Sequence, residues 1–192
     1  RGIIASAPTI DDIVATPTGF LSTVLDANGN QTATLVASGS NRRAVTIDEI
    51  PKNLQHAFVA IEDERFYEHN GIDVTGIIRA GVKGVASGFH FSEGASTITQ
   101  QLLKNTVFTS WTSESSMADK FERKFQEQYL ALQLEKVVDK DWILENYLNA
   151  INLGQNTLGV GVASERYFGK DVSDLTLSEC AVLAAITQNP SK

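Results

Sequence analysis

The chain has 192 residues, of which 42% are hydrophobic, with one cysteine and a formal net charge of −7. Those figures fit one compact domain with a small appendage; they exclude a disordered chain and one stapled by internal disulfides. The negative balance speaks against general nucleic-acid binding, which needs a broad basic footprint. No stretch approaches the ~20 apolar residues that span a bilayer.

Residues 1–45 differ in texture from the rest and read as a β-hairpin and linker segment. The run Thr23-Val24-Leu25 leads into Asn28-Gly29, a turn signal, and Thr32-Ala33-Thr34-Leu35-Val36 follows it. Arg1 stands where a complete chain would open on Met, so the sequence reads as a piece of a longer protein. From residue 46 to 192 the pattern is helical. A first helix is expected over Leu54–Glu68, closed by His69-Asn70-Gly71. Asp73 is placed to cap a second helix through Ile77-Ile78-Arg79-Ala80. A glycine-rich stretch from Gly84 to Gly94 carries Phe89 and Phe91. A helix from Ser96 to Asn105 comes next, then a polar loop over Thr109–Ser116. Long and short helices follow, over Ala118–Val138 and Asp141–Asn149. Thr176-Leu177-Ser178-Glu179 is a capping-box pattern opening a last apolar helix, which stops before Pro190. Cys180 lies in that apolar run and reads as a small buried hydrophobe. The fold class is mainly α with a small N-terminal β element.

Three helices carry polar residues at helical spacing. Glu62, Phe66 and His69 fall at i, i+4, i+7, as do Thr97, Gln101 and Lys104; Arg123 and Glu127 are an i, i+4 pair. Singly, each has an ordinary reading. Glu62 reads as a solvated helix residue, the Thr/Gln run as an outer surface, and Arg123–Glu127 as a surface ion pair contributing only ~0.3–0.5 kcal/mol. Together they outline a cleft of carboxylates, amides and cations.

The same residues form ordered motifs. Glu62-Asp63-Glu64-Arg65-Phe66-Tyr67-Glu68-His69-Asn70-Gly71 fits Glu-Asp-x-x-Phe-x-x-His-x-Gly, and Gly94-Ala95-Ser96-Thr97-Ile98-Thr99-Gln100-Gln101 fits Gly-x-Ser-Thr-Ile-Thr-Gln-Gln. Arg123-Lys124-Phe125-Gln126-Glu127 fits Arg-Lys-x-x-Glu. Ile143-Leu144-Glu145-Asn146-Tyr147-Leu148-Asn149, Tyr167-Phe168-Gly169-Lys170 and Gln188-Asn189-Pro190-Ser191 continue the series. Over about residues 47–191 the chain resembles the glycosyltransferase domain of class A penicillin-binding proteins and monofunctional peptidoglycan transglycosylases. Asn152–Gly159 departs from the pattern, since relatives often carry an aromatic and a Gly-Ala pair there.

The resemblance implies a lysozyme-like, two-lobed helical fold with a smaller membrane-associated lobe around residues 81–117. It implies polymerisation of lipid II onto a growing glycan strand, with inversion at C1 of the donor N-acetylmuramic acid and release of undecaprenyl pyrophosphate. Glu62 would be the base for the acceptor hydroxyl, expected in a partly buried place that suits proton transfer. Glu127 would be the second carboxylate, orienting the acceptor or organising Arg123; a general-acid role is the weaker alternative, because pyrophosphate leaves readily. Lys104, Arg123 and Lys124 resemble the residues that hold the pyrophosphate, a task suited to charge-assisted bonds. Asp63, Phe66, His69, Ser96, Thr97, Gln100, Gln101 and Asn105 would line the cleft, with Phe66 the foremost candidate for packing instead. No tightly bound metal is expected, and assistance to the pyrophosphate by a divalent cation (Mg or Mn) stays open.

The resemblance also implies a place at the outer face of the bacterial cytoplasmic membrane. An N-terminal transmembrane anchor would lie upstream of Arg1, a transpeptidase domain would follow at the C-terminus, and moenomycin would inhibit the enzyme. Phe89, Phe91, Phe108 and Trp111 are candidates to dip into the bilayer interface, against ordinary core packing. Two rivals remain. A lysozyme-like hydrolase or lytic transglycosylase would degrade finished cell-wall glycan, and has no use for three cations around a diphosphate. A non-catalytic lipid- or glycan-binding module would have no use for the carboxylates.

Overall fold

The structure, a computed structural model, describes residues 22–25, 31–35, 43–86, 96–108 and 116–188, together with positions 4 and 7. Two short strands, β1 (Ser22–Leu25) and β2 (Gln31–Leu35), pair antiparallel with an irregular register between Val24 and Leu25. The Asn28-Gly29 turn expected between them lies outside the described residues. Among the described residues the remaining long elements are helical: α1 (Lys52–Glu62), α2 (Val74–Ala86), α3 (Ile98–Thr106), α4 (Met117–Leu134), α5 (Lys140–Ala150), α6 (Val160–Phe168) and α7 (Leu177–Ile186). A 3-10 turn over Val172–Asp174 joins the last two.

The chain divides into two compact units. One carries Glu62–Ile143; the other carries Ala15–Ile61 and the chain from Leu144 onward. In the second unit Leu54, Phe58 and Val59 of α1 are buried, as are Leu144, Tyr147 and Leu148 of α5. Phe58 and Tyr147 meet edge to face at 6.2 Å, a geometry that adds to the area they bury. The extended segment before α1 is tied down by side chains that replace a β partner. The Asn149 amide accepts from Val45 N–H at 2.9 Å and donates to Val45 C=O at 2.8 Å. Gln55 Nε2 donates to the carbonyls of Ile47 and Ile50, and Ile47 N–H donates to Glu145. Buried backbone groups must find partners, and here they do.

The divergent segment Asn152–Gly159 closes as a tight turn. Thr157 N–H donates to Gly154 C=O at 2.8 Å, and Gln155 and Asn156 both take positive φ, 46° and 57°, as in a type I′ turn. Arg166 holds it from α6 through the carbonyl and side chain of Gln155. Thr176 and Glu179 form the expected capping box on α7. The residues that stop this helix in sequence, Pro190 among them, lie outside the described residues. Cys180 is buried, as the sequence suggests, and burial pushes its thiol pKa up.

In the first unit Phe66, Ile98, Leu102, Leu103, Leu130, Ala131 and Leu134 form the core, and α3 packs along α4. Asp73 accepts from Gly76 N–H at 2.9 Å at the start of α2, the capping role read from sequence. Its carboxyl pKa lies below the usual carboxylate range because the Arg65 guanidinium bonds it at 2.5 Å. The helix expected over Leu54–Glu68 is overturned: α1 ends at Glu62, and residues 64–68 form turns. The glycine-rich stretch from residue 87 to 94 and the polar loop from 109 to 115 lie outside the described residues; Ser116 is the N-cap of α4.

Candidate active site

Every candidate catalytic and binding residue falls in the first unit, and α3 organises most of them. Glu62, the last residue of α1, is half-buried, and its Oε2 accepts from Gln101 Nε2 at 2.9 Å. Helix α1 stops there because the next side chain is needed elsewhere. Asp63 accepts the Ile98 N–H at 2.9 Å and faces His69 Nε2 at 2.8 Å. A carboxylate at a helix N-terminus satisfies an orphan donor and meets the positive end of the dipole. Gly71 N–H donates to His69 Nδ1 at 3.1 Å, so Nδ1 carries the lone pair and Nε2–H donates to Asp63. His69 is thereby locked as an orienting group.

The shared helical face drawn through Glu62, Phe66 and His69 therefore does not exist. Phe66 is wholly buried, stacked edge-on with Tyr67 and His69, which matches the packing role rather than a place on a cleft wall. Thr97 is also inside. It is the N-cap of α3 in a capping box with Gln100, and its hydroxyl donates to Gly71 C=O at 2.7 Å. Gln100 is buried with it, its Oε1 accepting the Thr97 N–H. These residues hold the start of α3 and the loop after Glu62 together. Gly71 sits at φ +97°, and a Cβ built there would lie 2.5 Å from Ala131 O on α4, so the loop meets the helix at its closest approach.

The cationic half of the site stands on α4. Glu127 is fully buried and accepts from Arg123 Nη1 through one oxygen and from Lys124 Nζ at 3.3 Å through the other. This replaces the surface ion pair that spacing alone suggests. Lys124 Nζ also donates to Ser96 Oγ at 2.6 Å, which joins it to the start of α3. Lys104 and Asn105, half-buried, lie further along α3, Lys104 on the face of Gln101 at i+3. Ser96 precedes the Thr97 cap of α3, and Gln101 is the fourth residue of the helix. The helix therefore contacts Glu62 near its middle, and the residue before its cap contacts Lys124.

Sequence reasoning missed Thr99, Glu135 and Lys140. Thr99 Oγ1 donates to Glu135 Oε1 at 2.5 Å, and Lys140 Nζ donates to Glu135 Oε2 at 2.6 Å and to His69 C=O at 2.8 Å. Only Thr99, inside the Thr-Ile-Thr-Gln-Gln run, stood in a flagged motif. A surface cavity of about 510 Å3 opens nearby on the Arg65, His69 and Asp73 side. It includes none of Glu62, Lys104, Arg123 or Glu127, and its Arg65 and Asp73 are paired with each other. Among the described residues no group of three or more His, Cys, Asp or Glu is arranged to hold a metal.

The family model described as Transglycosylase matches residues 28–192, and the chain belongs to that family. It is thus a peptidoglycan glycosyltransferase domain. Penicillin-binding protein 1A of Clostridium perfringens (strain 13 / Type A) is 47% identical over 192 residues, which cover 98% of this chain and 27% of that protein. Penicillin-binding protein 1F of Bacillus subtilis (strain 168) is 46% identical over 171 residues, 88% of this chain and 22% of that protein. The chain spans about a quarter of the length of these curated relatives.

Proposed function

We propose that the chain polymerises lipid II by a single inverting displacement, with Glu62 as the base and Lys104, Arg123 and Lys124 as the cations that hold the leaving pyrophosphate. The acceptor's N-acetylglucosamine 4-hydroxyl loses its proton to Glu62 as its oxygen attacks C1 of the donor N-acetylmuramic acid. The bond from C1 to the pyrophosphate oxygen breaks, and the diphosphate takes up the electron pair. The observation that carries this reading is the bracketing of α3: Glu62 on Gln101 and Lys124 on Ser96, at 2.9 and 2.6 Å. An acid–base group from α1 and a leaving-group cation from α4 are thus each tied to α3 or to the residue before its cap, the kind of fixed placement a transfer reaction needs.

Glu127 acts in this scheme by orienting Arg123 and Lys124. Both its oxygens accept from those cations, which favours organising them over protonating a leaving group. Asp63, His69, Thr97 and Gln100 act through the positions of Glu62 and α3, and Ser96, Gln101 and Asn105 are left to meet substrate. A divalent cation, where one takes part, would enter bound to the diphosphate.

The lipid-linked substrate requires a membrane surface, and the first unit offers one. Val74, Ile78 and Val82 repeat every fourth residue on α2, as do Met117, Phe121 and Phe125 on α4, and all six are more than half exposed. Helices with such apolar stripes lie in a bilayer interface. Phe108 is half-buried, while Phe89, Phe91 and Trp111 lie outside the described residues. No described helix is long and apolar enough to cross a membrane. The expected location is the outer face of the cytoplasmic membrane, beside a transpeptidase domain in the full protein. Liposome partitioning that is unchanged when Phe121 and Phe125 both become Ser would defeat the membrane assignment.

Polymerisation of purified lipid II tests the chemistry. Wild type should give long glycan strands, and Glu62→Gln should lose about 10²–10⁴-fold in rate, the usual contribution of a positioned base. Equal rates would remove Glu62 from that role, and degradation of finished glycan by the wild type would favour the hydrolase instead.

A further inference from the structure

We propose that Lys140 and Glu135 are positioning residues for glycosyl transfer, a clamp that sets the loop after Glu62 against α3. The proposal rests on the reading of Glu62 as the base. Glu135 lies just past the end of α4 and Lys140 opens α5. The Glu135 side chain is 4% exposed and that of Lys140 is 22% exposed. The ammonium bridges two parts of the unit. It donates to Glu135 Oε2 at 2.6 Å and to His69 C=O at 2.8 Å, and lies 4.5 Å from the centre of the Phe66 ring. Two of its three N–H groups are taken by these oxygens.

Two routes lead from this pair to Glu62. On the first, Glu135 Oε1 accepts from Thr99 on α3 at 2.5 Å, and two residues further Gln101 donates to Glu62. On the second, Lys140 holds the carbonyl of His69, whose ring holds Asp63, the residue bonded to Glu62 in the chain. The pair therefore fixes both the helix that touches the base and the loop that carries it. Stability alone is a poor explanation for such a pair, since apolar residues of similar volume often serve as well or better. Geometry is a sufficient one, because a misplacement of about 1 Å at a reacting centre can cost about 10²-fold in rate.

The test is steady-state lipid II polymerisation by the whole chain, with melting followed by circular dichroism. Lys140→Met leaves a buried carboxylate unpaired and risks unfolding, so the double variant Glu135→Gln/Lys140→Met carries the experiment. It should stay folded at the assay temperature and keep KM within about two-fold, while kcat falls about 10- to 100-fold. Lys140→Arg, which keeps the charge, should recover part of kcat. Thr99→Val, which deletes one hydroxyl, should lower kcat by a smaller factor at unchanged KM. A folded double variant with wild-type kcat, or one whose loss lies in KM alone, overturns the proposal. If the double variant does not fold, a Thr99→Val enzyme with unaltered kcat overturns it. Glu62→Gln runs alongside: if that variant is active, the base assignment has failed, whereas an inactive Glu62→Gln beside an unaffected double variant condemns the clamp alone.

Discussion

Among the described residues, the two units differ in whether they bury charge. In the unit built from α6, α7 and the chain around them, the buried polar residues are neutral: Gln55, Asn146, Asn149, Thr157 and Ser164. Gln55, Asn149 and Ser164 bond main-chain atoms. The unit running from Glu62 to Ile143 buries neutral polar groups too, Thr97, Thr99, Gln100 and Gln126, but adds the carboxylates Asp63 and Glu127, and nearly buries Glu135. Each of these carboxylates faces a cation or a histidine. Neutral side chains bonded to backbone hold a chain in place at little electrostatic cost. Buried charges are expensive unless paired and hydrogen-bonded, so a unit rich in them is organised for something besides folding. The difference separates scaffold from chemistry on physical grounds, without reference to any relative.

Substitutions can break that division. Phe58→Ala in the neutral unit removes the ring against Tyr147 and should cost about 3–5 kcal/mol. That is a fall of roughly 6–20 °C in Tm for a domain this size, with kcat of the folded fraction unchanged; a kcat loss below the melting range would show that the scaffold takes part in chemistry. Lys124→Met should do the reverse. It leaves Glu127 paired with Arg123, so Tm should hold, while kcat drops about 10²–10³-fold as a cation at the leaving group is lost. A large fall in Tm with kcat kept would reassign Lys124 to the scaffold. Asn149→Ala strands the N–H and C=O of Val45, and should cost about 1–3 kcal/mol in urea-denaturation midpoints with no effect on KM.

The smallest effect concerns pH. The Lys170 ammonium, helped by the Thr176 N–H, holds the Glu179 carboxyl pKa down to about 2 against an ordinary 4.5. A depressed carboxylate contributes stability that is complete above pH 4.5 and fades as pH falls toward 2. The difference in urea midpoint between wild type and Glu179→Gln should therefore shrink from pH 6 to pH 3. A constant difference would show that the cap acts without its charge.

Local signals gave much of this fold to a reader of the sequence. The capping box of α7, the Asp73 cap and the extents of α3 and α5 rest on side-chain-to-backbone bonds between near neighbours, and these leave marks in the sequence. Where α1 ends could not be read this way. Helical spacing carries on from Glu62 to His69, but Asp63 is claimed by Ile98 N–H, 35 positions away. The same gap hid Lys140 and Glu135, whose partners His69 and Thr99 stand 71 and 36 positions off. The motifs named which residues gather at the site. They did not reveal that Thr97 and Gln100, like Phe66, gather by being buried, although Phe66 was the residue foremost expected to pack.

Gly71 gives this site its tolerance. Its carbonyl is held by Thr97 and its Cα faces the Ala131 carbonyl, where even a methyl group would fall at 2.5 Å. The gap between the loop and α4 is therefore narrower than the smallest side chain. An alanine there would act as a shim, prying the loop from the helix and disturbing the Thr97 cap through the same residue. The site is gauged by a missing atom, so the motif's glycine is the position where the least added mass should do the most harm.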